Sequence, residues 1–130
     1  MTEKKLDIQQ IASYWVDEAE EAFTVAEHLY GDDVRKIVLH FLDEIQKTHK
    51  VKLAFLYGSY AKGASNEWSD IDIAIVSPDF SDDLLEERLA LTKLAIPIDD
   101  RIEPKPFNMR SFDPNDPLVY EIIKNGIQLV

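Results

Sequence analysis

Residues 54–77 read AFLYGSYAKGASNEWSDIDIAIVS, and the fold turns on how this stretch is parsed. An apolar run stops at Gly58-Ser59, a short polar stretch follows, and Asp70 and Asp72 then open a second apolar run with one residue between them. In a strand, side chains two apart point to the same face. A strand over 70–76 therefore carries Asp70, Asp72, Ala74 and Val76 on one face and Ile71, Ile73 and Ile75 on the core face. The two aspartate Cα atoms lie roughly 6.5–7 Å apart at about 3.3 Å of rise per residue. Like charges at that range are costly in a dry setting, and one of them would take up a proton. Two arrangements relieve the conflict. Either the strand is a solvent-facing edge, or the pair holds divalent cations, for which two oxygen-ligated Mg²⁺ ions about 3.5–4 Å apart have the right size.

The Gly-Ser pair bears on that choice. Gly58 follows an apolar strand, VKLAFLY at 51–57, and precedes a short helical piece. Glycine lets backbone N–H groups approach a ligand closely, and a helix N-terminus attracts phosphate. Ser59 adds a hydroxyl donor and Lys62 a nearby positive charge. An ordinary strand-to-helix turn would look the same. The combination is more telling than either part, because a phosphate-binding turn on one strand would sit beside a metal-binding pair on the next.

Further out, the chain of 130 residues is about one domain's worth and long enough to bury a core without staples. An apolar fraction of 45% with 30% charged residues is that of a soluble globular protein. Cysteine is absent, which excludes disulfides, thiolate zinc sites and cysteine nucleophiles. The opening MTEKKLDIQQ has no apolar signal core and no apolar run approaches membrane-spanning length, so the expected location is the cytoplasm. A formal net charge of −11 would repel an extended phosphate backbone and weighs against a nucleic-acid partner. It leaves room for a small phosphorylated ligand, because divalent cations reverse the sign locally.

Apolar residues recur with a helix period over 8–30, from Ile8 and Ile11 through Trp15, Ala19 and Phe23 to Leu29. Gly31-Asp32-Asp33 breaks that helix. Asp33 is the expected N-cap of a second one, whose apolar face is Val34, Ile37, Val38, Phe41, Leu42 and Ile45. A leucine- and glutamate-rich helix is expected over 82–95, then a strand over 98–106 stopped by prolines, with Pro104 and Pro106 suggesting a sheet edge. Asp116-Pro117 should start the last helix, Gly126 should end it, and IQLV should form a short terminal strand. The fold class is α/β (α+β): a small mixed sheet of three to four strands with helices on one face, plus a long N-terminal helix. The expected division is a helical extension at 1–32 and a domain at 33–130.

At this point the residues reach a resemblance. Gly58-Ser59, ten residues, then Asp70-Ile71-Asp72 resembles the signature of the DNA polymerase β-like nucleotidyltransferases. In fuller form, GSYAKGASNEWSDIDIAIV is similar to the GS-x-A-[RK]-G…SD-[IV]-D pattern of their minimal, single-domain branch, and the resemblance covers roughly residues 34–130. It implies an antiparallel-leaning α/β sheet and Mg²⁺-dependent, two-metal transfer of a nucleoside monophosphate from a triphosphate. Asp70 and Asp72 would bridge the metals, and Gly58, Ser59 and Lys62 would hold the nucleotide. A third carboxylate is expected from a neighbouring strand. RIEPKPF is similar to a stretch of minimal family members, and Glu103 is favoured there, with Asp99 in reserve on the same face. Arg101, on that face too, would bind a phosphate or pair with a carboxylate. Trp68 and Tyr60 are weighed between stacking on a base and packing, and Lys105 is read as a solvated strand end.

The first helix, ASYWVDEAEEAFTVAEHLY, resembles the first helix of HEPN proteins, the helical partners often encoded beside minimal nucleotidyltransferases, but the R-x4–6-H ribonuclease motif is absent. Its apolar stripe is expected to pack on its own domain, on a second copy in a homodimer, or on a HEPN-family partner. The expected activity is adenylyl transfer from ATP to an acceptor hydroxyl, the resemblance pointing to a tyrosine of a HEPN toxin and so to an antitoxin. The alternatives are a non-catalytic antitoxin acting by complex formation and a nucleotidyltransferase acting on a small molecule.

Overall fold

The computed structural model describes residues 33–61, 63 and 69–130. The helix expected over 8–30 lies outside them, as do Lys62 and Trp68. Helix α1 occupies 33–46, with Asp33 already inside it rather than capping it. There follow β1 (Leu53–Tyr57), β2 (Ile71–Val76), α2 (Leu84–Ala95), β3 (Ile102–Phe107), α3 (Pro117–Asn125) and β4 (Ile127–Gln128). The sheet order is β3-β2-β1-β4. β1 runs antiparallel to both β2 and β4, whereas β2 and β3 are parallel. A parallel pair needs a long crossover, and α2 supplies it. None of the described helices is long and apolar enough to cross a membrane.

The prolines of β3 sit where the sheet tolerates them. The Arg101 and Phe107 carbonyls accept from Ile71 N–H (2.8 Å) and Ser77 N–H (3.0 Å) of the neighbouring chain segment. Odd-numbered positions of β3 thus face β2, and Pro104 and Pro106 face outward, where a missing N–H costs no ladder bond and denies the edge a template for another strand. The strand starts at Ile102, four residues later than its apolar pattern suggests. The Ile98 and Asp99 N–H groups both still bond the Ala95 carbonyl, at 2.9 Å each, which keeps the chain turned.

Register sorts the side chains onto two faces. Ala54 and Leu56 of β1, Ile71, Ile73 and Ile75 of β2, and Ile102 of β3 form one buried layer with Val38, Phe41 and Ile45 of α1 and Leu91 and Ala95 of α2. The other face carries Leu53 and Phe55, Ala74 and Val76, and Phe107, packed against Phe112 and against Val119 and Ile122 of α3. Helices on one face therefore describes α1 and α2 but not α3. The physical reason is that LAFLY is apolar at every position, so both faces of β1 need cover. α3 covers only part of its face. The apolar half of each strand lies beneath it, with Tyr57 partly buried at the margin of that cluster, and the strand positions bearing Asp72 and Glu103 are outside it.

α3 begins as its sequence dictates, with the Asp116 side chain accepting from the Leu118 N–H at 2.8 Å and Pro117 in the first turn. Gly126 caps the other end in an extended conformation, φ −74°, not the left-handed one. Glycine is required there by closeness: a Cβ would run into the Ile122 carbonyl oxygen and stand 3.3 Å from the Leu56 carbonyl oxygen. Gly126→Ala is expected to destabilise the domain by about 1–3 kcal/mol, the range for overpacking a site whose neighbours are backbone, read as a lower denaturation midpoint in urea.

Candidate active site

The centre of the site is Asp72. It pairs across the antiparallel ladder with Tyr57 of β1 and across the parallel ladder with Glu103 of β3. Strands lie about 4.8 Å apart, so three polar side chains stand abreast on the face that α3 leaves open. Asp70 precedes β2 by one residue and Gly58 follows β1 directly. Gly58 has φ +74°, a left-handed conformation that side chains rarely adopt, and a Cβ there would collide with the Asp72 carboxylate, its Cγ lying 3.3 Å away. Glycine is thus needed twice, for the turn and for the room it gives the acid. The Gly-Ser turn and the aspartate pair, read separately in the sequence, touch through this one glycine.

Electrostatics single out the same residue. Burial, then the charges of Glu103 and Asp70, push the Asp72 carboxyl up to about 6. Tyr57 is pushed up to about 12, first by burial and then by Asp72, with Glu103 adding to it and the positive charge of Arg88 opposing it. Glu103 and Asp70 therefore both act on Asp72 across this corner of the sheet. Among the described residues, though, no three acid or histidine side chains converge closely enough to hold a metal ion.

The two candidates for a third acid are separated by what they touch. Asp99 is engaged: Arg101 donates to it from Nε to Oδ1 (3.0 Å), from Nη2 to Oδ2 (2.9 Å) and from its backbone N–H (2.9 Å). That guanidinium holds the Asp99 carboxyl below its ordinary value. Arg101 Nη1 also donates to the Tyr60 hydroxyl at 3.2 Å, tying the turn after β1 to the entry of β3. So the pairing reading of Arg101 is the one found, and Tyr60, 3% exposed, is a core residue. Glu103 is exposed and stands in register with Asp72. Ser59 follows Gly58 in the turn and is partly buried. His40 lies 3.9 Å from Glu44 on α1, and His49 packs on Phe80 and bonds Thr48, away from the acids.

Two residues of this region carry no signal in the sequence. Tyr57 reads as the last apolar residue of a strand, and only the pairing register places it beside Asp72. Arg88 reads as one solvated charge on α2, yet its charge is felt at Tyr57. Lys105, taken for a solvated strand end, is partly buried on the site face and holds its Nζ 6.0 Å from the Phe107 ring centre.

The family model described as "Nucleotidyltransferase domain" matches residues 36–130. No curated protein matches the chain.

The raised Asp72 carboxyl has a thermodynamic sign. A folded pKa above the unfolded one means a contribution present at low pH and lost as pH rises through about 6. In protein free of divalent cations, Asp72→Asn should therefore leave stability unchanged near pH 4 and raise it above pH 6. For so partly exposed a group the gain is on the order of 1 kcal/mol, measured by urea denaturation at the two pH values. Gly58→Ala should cost about 1–2 kcal/mol from the left-handed backbone alone. Its further cost from the acid should vanish in an Asp72→Ala background, a coupling on the order of 0.5–1 kcal/mol in a double-mutant cycle.

Proposed function

The chain belongs to the nucleotidyltransferase domain family, and we propose that it transfers AMP from ATP to an acceptor hydroxyl, using the corner of the sheet where Asp72 meets Glu103 and Gly58. The observation that carries this reading is the Asp72 carboxyl, lodged against a left-handed glycine and raised to about 6 by burial and then by the charges of Glu103 and Asp70. Such a cluster calls for countercharge. Asp70, Asp72 and Glu103 offer an all-oxygen donor set of the kind hard divalent cations take, and these are the residues that would hold Mg²⁺. Bound there, the metal would supply charge stabilisation for the phosphoryl oxygens.

The chain's own residues have distinct tasks. The Gly58 and Ser59 backbone and the Ser59 hydroxyl hold the β- and γ-phosphates, with Lys62, from the family pattern, adding charge. The acceptor oxygen attacks the α-phosphorus, the bond to the bridging α–β oxygen breaks, and pyrophosphate leaves on the side of the Gly-Ser turn. The acceptor's proton passes to a carboxylate of the cluster. Glu103 suits this task because it is exposed and in register with Asp72. Positioning and electrostatics do most of the work in phosphoryl transfer, so a small rigid corner suffices. By the resemblance to minimal nucleotidyltransferases, the acceptor is a tyrosine of a HEPN-family toxin, which makes this chain an antitoxin that modifies its partner. The N-terminal segment 1–32 would then be a helical extension serving contact with that partner or with a second copy.

One observation favours a second reading. The described carboxylates do not converge to ligand distance, as would be the case if they were vestigial and the chain neutralised a partner by binding alone. Incubation with ATP labelled at the α-phosphate, Mg²⁺ and a HEPN-family protein separates the two. Label should appear on the acceptor and fall by about 100-fold or more in Asp70→Ala and in Glu103→Gln, as expected for loss of charge stabilisation at the reacting phosphate. Neutralisation of the partner that survives Asp72→Ala with no label transferred would replace the enzyme by the binding module.

A further inference from the structure

At the β3 edge lies a cavity of about 350 Å³ lined from Lys105, Pro106 and Phe107 and from the first turns of α2 and α3. Its floor is apolar, from Leu84, Phe107 and Leu118, and its wall carries Arg88 and Lys105. Neither cation is ion-paired with a described residue. Asp116, the acid in the wall, is engaged in capping α3 through the Leu118 N–H at 2.8 Å. Two such cations are notable on a chain of net charge −11. The volume falls within the range of pockets for small molecules or a single large side chain.

The cavity reaches toward the acids along β3, its lining beginning at Lys105. Lys105 is two residues beyond Glu103, hence on the same face about 6.6 Å along the strand. Arg88 is close enough for its charge to act on the Tyr57 hydroxyl, which stands across the sheet on the far side of Asp72 from Glu103. The sheet order then gives the cavity a direction. From one edge inward come β3 with Glu103, β2 with Asp72, and β1 ending at Gly58. In-line displacement puts the attacking and leaving oxygens on opposite sides of the phosphorus. If pyrophosphate departs toward Gly58 and Ser59, the attacking hydroxyl arrives from the β3 side, where this cavity is.

Resting on the nucleotidyl-transfer reading above, we infer that the β3-edge cavity is the acceptor subsite, and that it selects a hydroxyl on an apolar body, as a tyrosine ring offers, with an anionic group next to it, which Arg88 and Lys105 receive. The apolar floor takes the body by burial, and two unpaired cations beside an acidic centre make an anion the complementary charge. The same cations hold the acceptor's charge away from the repulsive carboxylates and leave its hydroxyl toward them.

The test uses para-hydroxyphenylacetate, which joins a hydroxyl, a ring and a carboxylate, with its neutral amide as control, titrated into the full chain by NMR. The acid should shift the Leu84 and Leu118 methyl signals saturably. The amide should bind at least tenfold more weakly, and Arg88→Glu or Lys105→Glu should weaken the acid by a similar factor while leaving the other signals of the spectrum in place. Equal binding of acid and amide, shifts centred away from the cavity, or no effect of either substitution would overturn the inference. A parallel titration with Mg-ATP distinguishes failure of the underlying reading. If Gly58 and Ser59 signals do not respond to the nucleotide, nucleotidyl transfer fails and the acceptor assignment with it, whereas a nucleotide response without acid binding in the cavity removes the acceptor subsite alone.

Discussion

A carboxylate held in strand register with a second acid, against a glycine with no side chain to give way, is the constraint around which this domain is arranged. Asp72 cannot leave this position without disrupting a central strand flanked by partners on both sides. It is only partly buried, and that burial with its acidic neighbours already pushes its carboxyl up to about 6. It must therefore lie where one face of the sheet is open. The arrangement of everything else on that face follows from this requirement.

α3 meets it by covering only the apolar half. Its Val119 and Ile122 pack with Leu53, Phe55, Ala74, Val76 and Phe107, so the hydrophobic stabilisation of this face is concentrated at one end of the strands. The opposite end keeps solvent access for the acids. The other face has no such division: α1 and α2 cover Ile71, Ile73 and Ile75, all fully buried. Both faces thus carry a buried apolar cluster, and the acids stand on the one that is only partly covered.

Polar links hold the corner in shape. Arg101 ties Asp99 and the Tyr60 hydroxyl together, linking the turn after β1 to the approach to β3. This network explains why Asp99, though it shares a face with Glu103 by alternation, is spent on structure. Asn108 does a similar task at the far end of β3. Its side chain donates to the Ser81 carbonyl and to Asp82 and accepts from the Arg110 and Ser111 N–H groups, fixing the β2–α2 loop to the end of the strand. Both networks use short-range turn chemistry to set long-range positions.

Much of this was legible from residues alone. Period-two alternation in DIDIAIV separates the acids from the isoleucines, Asp116-Pro117 announces the last helix, paired prolines mark β3 as an edge, and the Gly-Ser to Asp-Ile-Asp spacing points to the family. These are local signals, written in neighbouring residues by the geometry of one strand or one helix turn. Tertiary structure alone decided which third acid faces Asp72, that α3 takes the face opposite the other two helices, that Gly126 is needed for closeness and not for handedness, and that Arg88 and Lys105 line one cavity at the β3 edge. The reason is the same in each case. Alternation assigns faces within a strand, but pairing partners, register and the helix that covers a face are set by contacts between residues far apart in the chain, which no local pattern encodes.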